Sequence, residues 1–330
     1  MLRYAEQKSW VKVNLRENKM KFTDLKEEAL SLWSSGEYES HMKLAEYLYE
    51  KYDLSGNVDY SRRTLSNWIR YEEPAEQYIP KILILDIETA PILANVWGLW
   101  KQNVGLNQID RDWYMLCWSA KWLYSDEVLS GKLKKEEMMN HDDKRITEEL
   151  WVLLDEAELV VAHNGQRFDI PKINTRFLLH GLKRPSPYKI IDTLLLVRKQ
   201  FGFSSNKLDA LAGYLGFDHK LDTDFTLWSR CIKGEVEAME YMSKYCDRDI
   251  LLLEEVYLEL RPWMPNHPNI GLYFDETKQM CPNCGSTDVK DEKPYYTSVS
   301  RFPTYRCNSC GAISRGKKSD NDNKKLLRSV

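Results

Sequence analysis

Asp86 and Glu88 stand one residue apart at the end of Ile82-Leu-Ile-Leu-Asp86-Ile-Glu88, a run whose apolar density predicts a central strand covered on both faces. Residues at i and i+2 of a strand point to one side, so the two carboxylates project together. Side by side and buried they repel, and a positive group belongs between them; a hard divalent cation such as Mg²⁺ suits two carboxylates. Taken alone, an Asp-x-Glu pair also reads as a strand end with solvated acids, and two later stretches bear on the choice.

The first is His163-Asn164-Gly165-Gln-Arg-Phe168-Asp169-Ile-Pro171, directly after a buried strand predicted over 158–163. Asn-Gly predicts a tight turn and Pro171 suits the first turn of a helix, which puts Asp169 at the helix start. That is the C-terminal edge of a strand, where open α/β sheets collect ligands. Capping the helix is the alternative role for Asp169. The second is Tyr245-Cys-Asp247-Arg-Asp249, inside a helix predicted over 235–260. Tyr245 and Asp249, four residues apart, share a helical face, whereas Asp247 is turned away from Tyr245 by about 200°.

Together Asp86-Ile-Glu88, Asn164-Gly-x-x-Phe168-Asp169 and Tyr245-Cys-x-x-Asp249 resemble the three motifs of the 3′→5′ exonuclease superfamily with a ribonuclease H-like fold. They are most similar to the proofreading domain of family B DNA polymerases and its stand-alone phage and bacterial relatives. Lys244 precedes the tyrosine where the histidine subclass has His, which implies the tyrosine subclass. The resemblance covers residues 81–260. It implies that Asp86, Glu88, Asp169 and Asp249 hold two Mg²⁺ or Mn²⁺ ions and that Tyr245 orients or deprotonates the attacking water, and a free phenol's pKa of about 10 favours orientation. It also implies that Asn164 and Phe168 line the site beside the terminal nucleotide. Phe168 as ordinary core is the alternative, and Asp192, ending a further strand, is expected behind the site. The residues after Asp249 do not resemble a polymerase, so the expectation is an exonuclease without a fused polymerase.

Four of the seven cysteines form two knuckles, Cys281-Pro-Asn-Cys284-Gly and Cys307-Asn-Ser-Cys310-Gly, with residues 285–306 between them. That spacing suits a four-cysteine zinc ribbon whose ligand positions are all filled by protein, a closed structural site. Tyr295, Tyr296, Arg301, Phe302, Tyr305 and Arg306 lie between the knuckles, suited to stacking on single-stranded bases or to forming the core of the ribbon's hairpin.

The elements that must position these groups read as α/β, a mixed sheet flanked by helices over 81–260, which the resemblance implies is ribonuclease H-like. Strands are expected near 82–87, 113–124 and 127–133, then an amphipathic helix over 144–154. Residues 1–23 read as a flexible arm and 24–80 as a small helical unit resembling a helix-turn-helix, with Ser61 capping its last helix. That helix would present Arg62, Arg63, Ser66, Asn67 and Arg70 to DNA. Residues 24–80 carry six Lys/Arg against twelve Asp/Glu, so a spacer or protein contact is the competing role. Residues 261–280 read as a linker, 281–313 as the ribbon and 314–330 as a disordered basic tail.

With 43% hydrophobic residues, 12% aromatics and net charge −3, the chain has the composition of a folded, soluble protein. The absence of a long apolar run predicts a cytoplasmic, intracellular protein with no membrane partner, and the resemblance implies a bacterial or phage-infected cell. The function expected is a metal-dependent 3′→5′ exonuclease on DNA, favouring a single-stranded 3′ end, in replication, repair or recombination. A separate DNA polymerase or replication protein is the expected partner. The alternatives are an RNA-processing exoribonuclease of the same fold, and a DNA-binding regulatory protein with an idle nuclease fold.

Overall fold

The computed structural model describes residues 21–38, 40–54 and 80–321, less 275–277, and in between only 58, 61–62, 64–65 and 68. Two compact units, Met1–Gln77 and Tyr78–Val330, divide the chain. The first unit packs helices α1 (Lys26–Ser34) and α2 (His41–Tyr52) against a further helical stretch around Leu65. Its core is Phe22, Leu25, Ala29, Leu44, Ala45, Leu48, Leu65 and Trp68. Ser40 caps α2 by accepting from the Lys43 amide. Ser61 is itself helical and so is not the cap expected of it. It is buried, and its hydroxyl shares a hydrogen bond with the Tyr49 hydroxyl at 2.8 Å. Of the candidate DNA contacts, Arg62 is helical and half-buried, while Arg63, Ser66, Asn67 and Arg70 lie outside the described residues.

The second unit is built on a five-stranded mixed sheet. Strands β1 (Ile82–Thr89), β4 (Met115–Trp122), β5 (Val128–Lys132), β6 (Leu159–Ala162) and β7 (Lys189–Asp192) lie in the order β5-β4-β1-β6-β7. The first three form an antiparallel meander and the last two run parallel to β1. A small ribbon, β2 (Leu93–Ala94) and β3 (Ile109–Arg111), interrupts the stretch between β1 and β4.

Alternation along β1 sorts its side chains between two layers. Leu83, Leu85 and Ile87 share a core with Ile146, Leu150 and Leu154 of α4 (Lys144–Glu156) and Ile170 and Ile173 of α5 (Asp169–Leu179). Ile82 and Ile84 share the other with Leu252, Leu253 and Val256 of α9 (Val236–Leu260). Shorter helices α3 (Lys135–Asn140), α6 (Thr193–Gln200), α7 (Leu208–Leu215) and α8 (Phe225–Cys231) complete the layers. Helix α9 lies on the face that carries Asp86 and Glu88. It is tied to β4 by Ser119, whose hydroxyl donates to Asp247 at 2.6 Å, and by the enclosed Lys121–Glu254 ion pair.

A three-stranded sheet, β8 (Val289–Tyr296), β9 (Arg301–Cys307) and β10 (Ile313–Arg315), follows. The structure corrects two expectations here. Residues 261–280 are no free linker: Arg261, Met264, His267 and Ile270 are buried, the Asn283 amide donates to the Arg261 and Met264 carbonyls, and the Ile270 amide bonds the Pro282 carbonyl at 2.8 Å. Nor does order stop at residue 313, since β10 runs to Arg315, and Asp320 pairs with Arg301 at 2.7 Å. Residues 322–330 lie outside the described residues.

Candidate active site

Helix α9 aligns Met242, Cys246, Ile250, Leu253, Val256 and Leu260 along one buried stripe, and Asp249 stands within that stripe, 3% exposed. A carboxylate in an apolar stripe needs partners, and the stripe delivers it to the end of β1. Asp86, Glu88 and Asp249 each bring a carboxylate oxygen within 4.8 Å of the other two. Cys246, one turn earlier, packs its sulfur 3.6 Å from both the Asp86 carbonyl and its Oδ2. Asp169, the first residue of α5, stands beside this trio, and its Oδ1 accepts from the Ile87 amide at 3.3 Å. Asp247 faces Ser119 instead.

The turn that delivers Asp169 falls where the Asn-Gly pair predicts it. Asn164, not Gly165, takes the left-handed conformation, with φ 73°. Gly165 is required by close approach, since a Cβ there would lie 2.5 Å from the Ala162 Cβ. Asn164 therefore shapes the turn, its carbonyl accepting from the Arg167 and Phe168 amides. Asp192 sits behind the same turn, accepting from the amides of Asn164, Gln166 and Leu195. Phe168 is 37% exposed and so is not core. Lys172 spans its ring and that of Trp113, with Nζ 5.2 and 3.7 Å from the two centroids.

Lys220 is the site residue that the sequence did not disclose. Its Nζ pairs with Asp249 Oδ2 and lies 3.4 Å from the Tyr245 hydroxyl. It comes from the irregular stretch between α7 and α8, where no periodicity marks a side chain as inward. The usable signal was electrostatic, the need of crowded carboxylates for a positive partner.

One ammonium is not enough for four acids. Burial pushes Asp86 well above the usual carboxylate range, and Asp169, Glu88 and Asp249 add to the rise while Lys220 opposes it. Glu88 is pushed up to about 8, first by burial and then by Asp249. Asp169 is raised to about 7 by burial, against the backbone amides that bond it. Asp249 is raised by burial and held down by Lys220. Burial works against the Lys220 ammonium, but Asp249, Tyr245 and Asp86 more than offset it, so it stays charged. Burial and then Asp249 push the Tyr245 phenol up to about 12, so it is protonated at neutral pH.

A divalent cation fits this donor set. Among the described residues the buried Asp249 Oδ1 has no hydrogen-bond partner. The converging atoms are all carboxylate oxygens, the hard donors that Mg²⁺ and Mn²⁺ take.

A second cluster joins Cys281, Cys284, Cys307 and Cys310, with sulfurs all within 4.8 Å of one another. Cys281–Cys310 and Cys284–Cys307 are each 3.6 Å apart, far beyond a disulfide bond of about 2.05 Å. A tetrahedral ion with metal–sulfur bonds of about 2.3 Å spaces its sulfurs by about 3.8 Å. Both knuckles turn on a left-handed glycine, Gly285 with φ 77° and Gly311 with φ 81°.

Residues 124–261 match the family model described as the RNase_H superfamily. That match supports a ribonuclease H-like domain over this segment. The matched segment holds Asn164, Asp169, Lys220, Tyr245 and Asp249, while Asp86 and Glu88 precede it. Over 124 residues the chain is 31% identical to a DNA polymerase III PolC-type of Ureaplasma parvum serovar 3. That match covers 37% of this chain and 7% of the relative's length. Among solved structures, the family B DNA polymerase of the archaeon Pyrobaculum calidifontis is similar, with TM-score 0.39 and 15% identity. The likeness covers 57% of this chain and 26% of that one. Among the described residues, no helix is long and apolar enough to cross a membrane.

Proposed function

We propose that this protein is a metal-dependent 3′→5′ exonuclease that removes nucleotides from single-stranded 3′ ends of DNA, in bacterial or phage replication, repair or recombination. The observation that carries the reading is the convergence of Asp86, Glu88 and Asp249, with Asp169 beside them and Asp249 Oδ1 left without a partner. These four acids hold two Mg²⁺ or Mn²⁺ ions. Bound there, such ions supply a hydroxide near neutral pH and offset negative charge on the leaving 3′-oxygen. Tyr245, protonated, orients the attacking water and does not take its proton. Lys220 fixes Tyr245 and Asp249 relative to each other. Phe168 offers its open ring to the terminal base, and Asn164 holds the turn that presents it.

The four cysteines hold one structural Zn²⁺, closed to water and without a part in catalysis. Arg62, Arg63, Asn67 and Arg70 of the N-terminal unit contact DNA, and a separate DNA polymerase or replication protein is the partner. The test is incubation of the purified protein with Mg²⁺ and 5′-labelled single-stranded DNA and RNA. A ladder shortening from the 3′ end on DNA and abolished by EDTA is expected. Degradation of RNA alone would replace the DNA reading with an exoribonuclease, and no cleavage of either would end the enzyme reading.

A further inference from the structure

The segment between β1 and β4 exposes an unusual amount of apolar surface. Trp97 is fully exposed, Trp100 is 84% exposed, and Leu99 and Leu106 are each 89% exposed. The segment is nonetheless braced from within. The Gln108 side chain accepts from the Gly105 amide and donates to the Asn95 carbonyl, closing the neck, while Gln102 donates to the Trp100 carbonyl. Lys101, between the tip residues, holds a left-handed φ of 54°. The tryptophans are thus held outward by a formed loop.

We propose that this loop is a stacking finger for the single-stranded part of the nucleic acid whose end enters the carboxylate site. The inference rests on the nuclease reading above and names a further contact for the same substrate. Three observations favour a polynucleotide over a protein. The loop is rooted at the site itself: the Ala90 amide bonds the Tyr114 carbonyl at 2.9 Å, immediately beyond Glu88, which pairs with Cys117 across the sheet. Next, residues 91–109 contain Lys101 and no Asp or Glu, together with three Asn and two Gln, in a chain whose net charge is −3, and the loop's two acids, Asp110 and Asp112, come after them on the return, either side of Arg111. An acid-free stretch of aromatics, amides and a cation suits bases and phosphates. Finally, Trp113 at the return of the loop and Phe168 beside Asp169 already share the Lys172 ammonium, which Asp112 also faces, so aromatic surface continues from the loop root toward the acids.

Aromatic stacking contributes about 1–3 kcal/mol per base, or roughly five- to 150-fold in affinity for each lost ring. The test uses the full chain in EDTA, with fluorescein-labelled oligo-dT of three and of twenty nucleotides, read by anisotropy. The unaltered protein is expected to bind the longer strand more tightly and to show quenched tryptophan emission. Trp97→Ala/Trp100→Ala should lose most of that length-dependent gain, at least tenfold, and Trp97→Phe/Trp100→Phe should restore it. Both rings are exposed, and an unchanged melting temperature confirms that the variant folds. Length-dependent affinity that survives in the alanine variant would overturn the finger. So would self-association of the unaltered protein that the substitutions abolish, because the rings would then serve a second copy. Hydrolysis of thymidine 5′-(p-nitrophenyl phosphate) by the unaltered chain with Mg²⁺ reports on the carboxylate site alone. Its absence would fail the nuclease reading whatever the loop does.

Discussion

At the scale of single residues, two acids on one helix are expected to behave in opposite ways. Asp249→Ala removes a carboxylate from the converging trio and should lower 3′-end cleavage roughly 10³-fold or more, several kcal/mol of transition-state stabilisation. Asp247→Ala removes a partner of Ser119 and should stay within about tenfold of the unaltered rate; a dead Asp247 variant beside an active Asp249 variant would reverse the assignment. The crowded acids also set a pH dependence. Glu88 and Asp169 have folded values near 8 and 7, above their ordinary 4.5 and 3.8, so the folded state binds more protons between those limits. Their contribution to stability is therefore full below about pH 4 and is lost as pH rises through about 7–8. Divalent cation binds the ionised form and should offset that loss. The rise in melting temperature on replacing EDTA with Mg²⁺ should grow between pH 5 and pH 8, and a rise independent of pH would count against cation binding at these acids. Strand spacing pairs Asp86 with Glu88 and helix spacing pairs Tyr245 with Asp249 with no knowledge of tertiary contacts, whereas joining these pairs with Asp169 into one site rests on the resemblance of the three motifs. Lys220 could not be read from sequence, since an irregular segment carries no period from which its direction follows.

At the scale of elements, the alternation of β1 and the stripe of α9 were legible, and so were the strands of the meander. What was hidden is how α9 is held on the sheet. Lys121 lies in a strand that reads as largely apolar, and only the fold shows that it meets Glu254 in an enclosed pair. Breaking such a pair by removing one partner leaves a buried charge and costs about 3–5 kcal/mol, while replacing both restores much of the loss. Urea unfolding of Lys121→Met should show that loss, and Lys121→Met/Glu254→Leu should recover most of it. Equal losses in the single and double variants would mean that the pair is not coupled. The Asn-Gly turn teaches a related lesson. Sequence gives the turn, but why its second residue must be glycine depends on the clearance to Ala162, which belongs to the tertiary structure.

At the scale of the whole molecule, the cysteine spacing was legible because it is local, but the seating of the first knuckle on the segment after α9 was not. Proline-rich sequence reads as linker, yet Met264 and Ile270 complete a core with Leu260 and Val256. Metal loss should therefore reach beyond the knuckles. After Cys307→Ser or chelation, hydrogen exchange is expected to quicken over residues 281–315 and also over 261–274; quickening confined to 281–315 would show that the seating is not coupled to the metal. The placement of the acids carries a different consequence, one of timing. Cys246 meets Asp86 across 160 positions of sequence, and Asp249 lies farther still. On a ribosome adding about 5–20 residues per second, β1 waits roughly 8–32 s for the helix that completes its site. Contacts of such separation form late, after the loop-closure entropy between them has been overcome. No shorter nascent chain holds the trio, so until α9 is made the growing polypeptide carries Asp86 and Glu88 without the third carboxylate that converges on them.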